Sequence, residues 1–136
     1  MSNLNGISVE GTSSVAVTTV MINNYQKIMF SGKLIYGSTQ AVKQQLQDEL
    51  VDAKGYIFDM TKLEYIDSTG LGILMNLAKH SYVKGKKIAI IVIDKFLREI
   101  FEIAKFQLVF PIVDNEKRAL EVIENGENTL LSINEY

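Results

Sequence analysis

The residue types best suited to chemistry cluster in one run, Asp67-Ser68-Thr69-Gly70-Leu71-Gly72. Two hydroxyls stand beside a carboxylate and two glycines, between a short apolar strand and an apolar helix. The start of a helix leaves its first N–H groups without intrahelical partners. Those donors and the helix dipole favour negative charge by roughly 0.3–1 kcal/mol. A phosphate on Ser68 is therefore tolerated locally, and it adds about −1.5 to −2 charges beside Asp67. Two unit charges ~6 Å apart interact by roughly 1–3 kcal/mol near a protein surface, and each ~1.4 kcal/mol changes an affinity tenfold. Such a mark switches a surface without refolding the domain. Gly70 and Gly72 each cost on the order of 1 kcal/mol relative to alanine in a helix, which suits a place where something approaches closely. Ile73 and Leu77 fall off the main apolar stripe and, with Gly72, are expected to form a partly exposed apolar surface. Ordinary helix capping accounts for the same residues and stays open on the residues alone.

Other reactive groups are sparse. Asp59 and Asp67 could together hold a divalent cation for phosphoryl transfer. No third ligand or phosphate-binding loop accompanies them, so one is read as capping a loop and the other a helix. The single His80 sits on the polar side of its helix, read as solvated or facing the helix dipole. A Ser68–His80 hydrolase pair lacks the Gly-x-Ser-x-Gly elbow, and the two residues lie roughly three helical turns apart. Lys84, Lys86 and Lys87 read as a solvated loop. Phe96, Phe101, Phe106 and Phe110 read as core and helix-packing residues, with Phe96 or Phe106 the candidates for a partner surface.

The elements that must position the motif follow from periodicity. Residues 15–22 and 25–31 read as strands joined at Asn23-Asn24, a hairpin. Ser38 or Thr39 is expected to cap a helix to about Val51, with Val42, Leu46 and Leu50 as its stripe. Gly55 starts a strand through Met60. The helix after the motif carries Leu71, Leu74, Met75, Ala78 and Tyr82 on one face. Residues 88–93 form an uninterrupted apolar strand. Asp94 caps a third helix striped by Leu97, Ile100, Phe101 and Ala104. Leu108-Val109-Phe110 reads as a short strand closed by Pro111. Asp114 or Asn115 caps a fourth helix to about Glu124, with Gly126 as its stop. The order ββαβαβαβα implies an α/β fold: one domain, a mixed, mostly parallel central sheet with an N-terminal β-hairpin, covered by about four helices.

At 136 residues, 47% apolar and 22% charged, the chain has the length and composition of one globular domain. Residues 1–12 read as a flexible N-terminal segment, 13–126 as the domain and 127–136 as a tail in which Leu130, Leu131 and Ile133 dock or fray. A net charge of −2 gives no support to a nucleic-acid partner. The absence of cysteine excludes disulfides and thiol chemistry and fits a reducing compartment. No run is long enough to span a membrane and no secretory signal is visible, so the expected location is cytoplasmic.

The run from Ile57 to Leu74 resembles the central signature of STAS domains, above all the bacterial anti-sigma factor antagonists. An apolar strand ends in Asp59, a short link contains Leu63, and Tyr65-Ile66 precede Asp67-Ser68-Thr69-Gly70-Leu71-Gly72. The resemblance covers roughly residues 14–124, and the element order agrees with the STAS fold. It implies a regulator rather than an enzyme, without metal or cofactor. Its Ser68 is phosphorylated by a partner that is both anti-sigma factor and ATP-dependent serine kinase, with Thr69 a secondary candidate. In the unphosphorylated form it binds that kinase and frees a sigma factor to activate transcription. A phosphoserine phosphatase reverses the mark. The implied partner surface is Asp67, Ser68, Thr69, Gly70, Leu71, Gly72 and Ile73, and a weak homodimer is left open. Ile35 departs from the pattern, standing where many members carry an acid, and Lys105 or its neighbours occupy a place where many carry glycine. The alternatives are a scaffold STAS domain of a multi-protein signalling assembly, and a nucleotide- or small-molecule-binding STAS domain.

Overall fold

A computed structural model describes residues 15–125. The proposed flexible segment, the tail with Leu130, Leu131 and Ile133, and the Gly126 helix stop lie outside those residues. The elements are β1 (Val15–Ile22), β2 (Tyr25–Leu34), α1 (Thr39–Glu49), β3 (Gly55–Ile66), α2 (Ser68–Val83), β4 (Lys87–Ile91), α3 (Lys95–Ile103), a single 3-10 turn (Phe106–Leu108), β5 (Ile112–Val113) and α4 (Glu116–Glu124). The sheet order is β1-β2-β3-β4-β5. The first pair is antiparallel and the rest are parallel. The expected α/β class, hairpin, mixed sheet and four helices are all present.

Strict sequential order decides the layers. Crossovers between parallel strands are right-handed almost without exception. Three successive ones along a single direction therefore place α1, α2 and α3 on the same face. Their Val42, Leu46, Leu74, Leu97 and Phe101 share one core with Phe30, Phe58 and Ile90. Among the described helices only α4, which follows β5, covers the other face, packing Ala119, Val122 and Ile123 on Ile57, Ala89 and Ile91. Lys27 of β2 ties that second layer, reaching Glu116 of α4 at 2.6 Å and Asp59 of β3 at 3.7 Å. No helix among the described residues is long and apolar enough to cross a membrane.

Local expectations hold where a side chain acts on its own neighbourhood. Asn23 and Asn24 take φ of 50° and 73°, the paired left-handed residues of a tight hairpin turn. The Asp94 carboxylate accepts from Leu97 N at 2.9 Å, and the Asn115 amide oxygen from Arg118 N at 2.7 Å. Ser38 precedes α1 but does not cap it. Its buried hydroxyl turns back, donating towards Ile35 O and accepting from Ile35 N, and so closes the β2–α1 turn.

Three expectations are corrected. The strand after Gly55 continues through the supposed link to Ile66. Two register shifts put extra residues on β3, where Asp59 faces Met29 but Lys62 faces Ser31, and Leu63 faces Gly32 but Tyr65 faces Lys33. Its buried positions therefore run Met60, Leu63, Ile66, a spacing of three that no regular strand shows. Residues 108–110 are not a strand. Phe106 and Phe110 are buried four apart on a helical turn, with Phe110 N donating to Phe106 O, and the strand lies beyond Pro111. On α2, Tyr82 is 52% exposed. Ser81 takes the inward position, its hydroxyl donating to Leu77 O at 2.9 Å.

Lys105, between α3 and the 3-10 turn, has φ of 64°, the left-handed conformation in which a Cβ is penalised by roughly 1–2 kcal/mol. Lys105→Gly should raise stability by about 0.5–1 kcal/mol after the unfolded-state entropy of glycine is counted. Denaturant midpoints of the two proteins measure this.

Candidate functional site

The β2, β3 and β4 strands run parallel, so their carboxyl ends open on one edge, the usual place for function in open α/β sheets. The central strand ends at Ile66 and passes directly into α2, with Asp67 between them. Asp67 has extended backbone, φ −108° and ψ −175°, as an N-cap requires. One carboxylate oxygen accepts from Gly70 N at 2.9 Å, and the other from Tyr36 N, in the loop after β2, at 3.0 Å. The Asp67 N–H donates to Leu34 O at 3.3 Å. One residue thus caps the helix and clamps it to the neighbouring strand.

Gly70 is the counterpart of that clamp. A Cβ there would land on Leu34 O and meet Ile66 Cγ1 at 2.8 Å. Its freedom from a side chain serves the domain's own helix–strand contact. A Cβ on Gly72 would meet nothing within 4 Å, and Gly72 is exposed. Of the two glycines, only Gly72 presents bare backbone outward.

Ser68 is the first helical residue, exposed, and its hydroxyl makes no hydrogen bond among the described residues. Thr69 and Leu71 are half-buried, the latter packed on the core. Ile73 is 7% exposed. The expected outward apolar surface of Ile73 and Leu77 is therefore corrected: Ile73 belongs to the core and Leu77 is half-buried against it. The start of α2 closes so tightly on β2 that the buried stripe widens to include residue 73.

Around Ser68 the three loops gather apolar groups that are remote in sequence. Tyr36 follows β2 and is 81% exposed. Tyr65 ends β3, and its ring stacks on Phe96 of α3 at a centroid distance of 6.2 Å and an interplanar angle of 19°. Phe96 is 54% exposed and Ile93, after β4, is also exposed. Sequence reading singled out only Phe96 of these four. Tyr36 and Tyr65 each carried a usable signal, a large ring within two residues of a strand end. Ile35, in the place of the family's acid, is half-buried beside Ser38.

The carboxylates are not gathered. Asp59 is buried in the sheet, holding Lys27 and accepting from Thr61 N at 2.9 Å, the amide displaced by the strand irregularity. Among the described residues no group of three His, Asp or Glu side chains is placed to hold a metal ion. His80 is exposed in the last turn of α2, roughly 18 Å along the helix from Ser68. Of the lysines, Lys86 pairs with Asp52 at 2.5 Å, while Lys84 and Lys87 are exposed. Burial raises the Asp67 carboxyl pKa, but backbone N–H groups of Tyr36, Gly70, Thr69 and Asp67 itself outweigh it and hold the group below its ordinary value of 3.8.

Comparisons with known proteins converge on this arrangement. The family model described as the STAS domain matches residues 16–119. An anti-sigma F factor antagonist from Paenibacillus polymyxa is 23% identical over 99 residues, 71% of this chain and 85% of that protein. A STAS-domain containing protein from Pseudomonas aeruginosa is 25% identical over 85 residues, 62% of this chain and 84% of the relative. The crystal structure of an anti-sigma factor antagonist from Mycobacterium paratuberculosis has the same fold, with a TM-score of 0.71, 17% identity, and coverage of 82% of this chain and 95% of that one.

Substitutions separate the two glycines. Gly70→Ala should destabilise the domain by about 2–4 kcal/mol through overpacking against Leu34 and Ile66, whereas Gly72→Ala should be neutral or stabilising by up to ~1 kcal/mol. Urea unfolding of both variants tests this, and equal losses would refute it.

The Asp67 shift gives a signed pH dependence. A carboxyl that ionises more readily in the folded than the unfolded chain stabilises fully above its unfolded value, here 3.8, and that contribution is lost as pH falls through the lower folded value. Asp67→Asn should therefore be less stable than the parent at neutral pH, with the gap closing in acid. Denaturant midpoints across that range provide the measurement.

Proposed function

The chain belongs to the STAS domain family, and we propose that it acts as an anti-sigma factor antagonist switched by phosphorylation of Ser68. The observation that carries this reading is the setting of the Ser68 hydroxyl. It is exposed and unbonded at the head of a helix, on the edge where the loops after β2, β3 and β4 meet. The names of the relatives point to the same regulatory class. Thr69, half-buried one residue on, is the secondary acceptor.

The unphosphorylated protein binds an anti-sigma factor that is also a serine kinase. It does so through the run Asp67–Ile73, in which Ser68 and Gly72 supply the contact and Asp67, Gly70 and Ile73 hold its shape. Tyr36, Tyr65, Phe96 and Ile93 extend that surface with the aromatic and apolar groups that dominate interface energetics. The sigma factor is released, and a phosphoserine phosphatase later restores the active form. The protein acts in the cytoplasm, catalyses nothing itself and binds no cofactor; ATP belongs to the partner. Residues 13–126 form the working domain.

The electrostatics suit a switch. Asp67 already takes the Gly70 N–H of the first turn, so a phosphate on Ser68 meets a fixed carboxylate that shares the same helix end. About two added charges then change the surface potential of a docking patch. The fold is left intact, because the clamp to Tyr36 and Gly70 is made by Asp67 and not by Ser68.

Incubation with the cognate kinase and ATP should add one phosphate to the parent protein and none to Ser68→Ala, as read by intact mass. Ser68→Ala should retain kinase binding, and Ser68→Asp should bind at least about tenfold more weakly. Phosphate gained equally by Ser68→Ala and by the double Ser68→Ala/Thr69→Ala variant would overturn the assignment.

A further inference from the structure

A cavity of about 600 Å3 lies between α1 and α2, above the first residues of β3. Such a volume falls within the roughly 300–1,000 Å3 of small-molecule sites. Its walls are apolar: Leu46 and Leu50 from α1 and the residue after it, Ile73 and Leu77 from α2, and Tyr56 from β3. The two hydroxyls of these walls are already satisfied, Tyr56 donating to Val51 O at 2.7 Å and Ser81 to Leu77 O at 2.9 Å. The remaining neutral polar groups, the amides of Gln47 and Asn76, are exposed at the edges of the cavity.

The mouth has the opposite character. Lys43, Lys84, Lys86 and His80 line it against a single carboxylate, Asp52. That carboxylate pairs with Lys86 at 2.5 Å and also feels the charge of Lys84. Lys43 and Lys84 make no ion pair within 4.0 Å among the described residues. An apolar interior with three ammonium groups against one carboxylate at its opening is complementary to a molecule with an alkyl body and an anionic head. The eleven helical residues from Ile73 to Val83, with Lys84 just beyond, give a wall roughly 16 Å long, the reach of a single alkyl chain of roughly ten to twelve carbons. A nucleotide is disfavoured, because the cavity offers no glycine-rich phosphate loop and its one tyrosine, Tyr56, is buried in the wall.

We propose that this cavity binds a free fatty carboxylate of medium chain length, its tail on Leu46, Leu50, Ile73 and Leu77 and its carboxylate held by Lys43 or Lys84. Two of the cavity's cations come from the loop lysines that sequence reading left as merely solvated. Its charged mouth lies at the far end of α2 from Ser68, although its wall begins at Ile73, and its occupancy does not depend on the phosphorylation reading.

Decanoate, kept below its micelle concentration, is the probe, followed by thermal shift and by backbone amide NMR. Saturable binding is expected, with a rise of several degrees in melting temperature at excess ligand and amide shifts concentrated in residues 43–52 and 73–86. Decanol, of equal length but neutral, should bind about tenfold or more weakly, and the double Lys43→Gln/Lys84→Gln variant should lose the same factor for decanoate. Leu77→Trp, which fills the cavity, should abolish binding. Because both lysines are exposed, their variant folds normally and keeps the test decisive even if Leu77→Trp does not fold. Ser68→Ala should bind decanoate as the parent does. Absence of saturable binding, equal affinity for decanol, undiminished affinity in the lysine variant, or shifts scattered over the surface would each overturn the proposal.

Discussion

Asp67 divides its carboxylate between the head of α2 and the loop that follows β2, and the geometry of the candidate site depends on that division. The oxygen on Gly70 N fixes where the helix begins; the oxygen on Tyr36 N fixes how far the helix stands from the neighbouring strand. Gly70 makes the distance attainable, since any side chain there would occupy the space of the Leu34 carbonyl. Hydrogen bonds from amides to a charged carboxylate are stronger than neutral ones, and two of them hold this junction from different sides. Ser68 inherits its exposure from this arrangement. It sits one residue past a point held on two sides, its own hydroxyl without a hydrogen bond among the described residues.

A rigid head and an open hydroxyl divide structural from contact duties among adjacent residues. Asp67, Gly70 and Ile73 work inward; Ser68 and Gly72 face out. The same division recurs across the sheet. Lys27, Asp59 and Glu116 tie the single-helix layer to the strands, which accounts for the buried acid near the end of the apolar stretch of β3 without any catalytic role. Aromatic residues split likewise: in the core Phe106 packs edge to face on Phe110 and at a tilt on Phe101, while Tyr65 and Phe96 stack in the open.

Much of the fold was legible because its signals are local. Asp94, Asn115 and the Asn23-Asn24 turn act on residues no more than three away, and the helical stripes of α1 and α3 report their own burial. The features that escaped are set by partners distant in the chain. The strand β3 hides its second half because extra residues at two register shifts change its apolar spacing from two to three. Phe106 and Phe110 resemble a strand flank until the i to i+4 bond between them is seen. Ile73 turns inward because Gly70 lets the helix sink onto Leu34, 36 positions earlier in the numbering. The cluster of Tyr36, Tyr65, Phe96 and Ile93 exists only once three strand ends lie side by side. The missing acid at Ile35 and the missing glycine at Lys105 were visible as departures. Only the backbone explains the second, since Lys105 holds the left-handed conformation that glycine would take freely.

The sheet is laid down in the order of the chain, each strand pairing with the one before it. Among the described residues no strand has to be inserted between two others already joined. A chain emerging from the ribosome can therefore build this domain from one edge, the hairpin first and each strand–helix unit added to a growing border. Short closures of this kind keep the entropic cost of each step low. The motif strand arrives third, when its earlier neighbour is already in place to receive Asp67. The aromatic rim is finished only when β4 and α3 follow. The order of the chain thus lets the clamp form before the aromatic rim, so the head of α2 can take its shape before the three strand ends are gathered beside it.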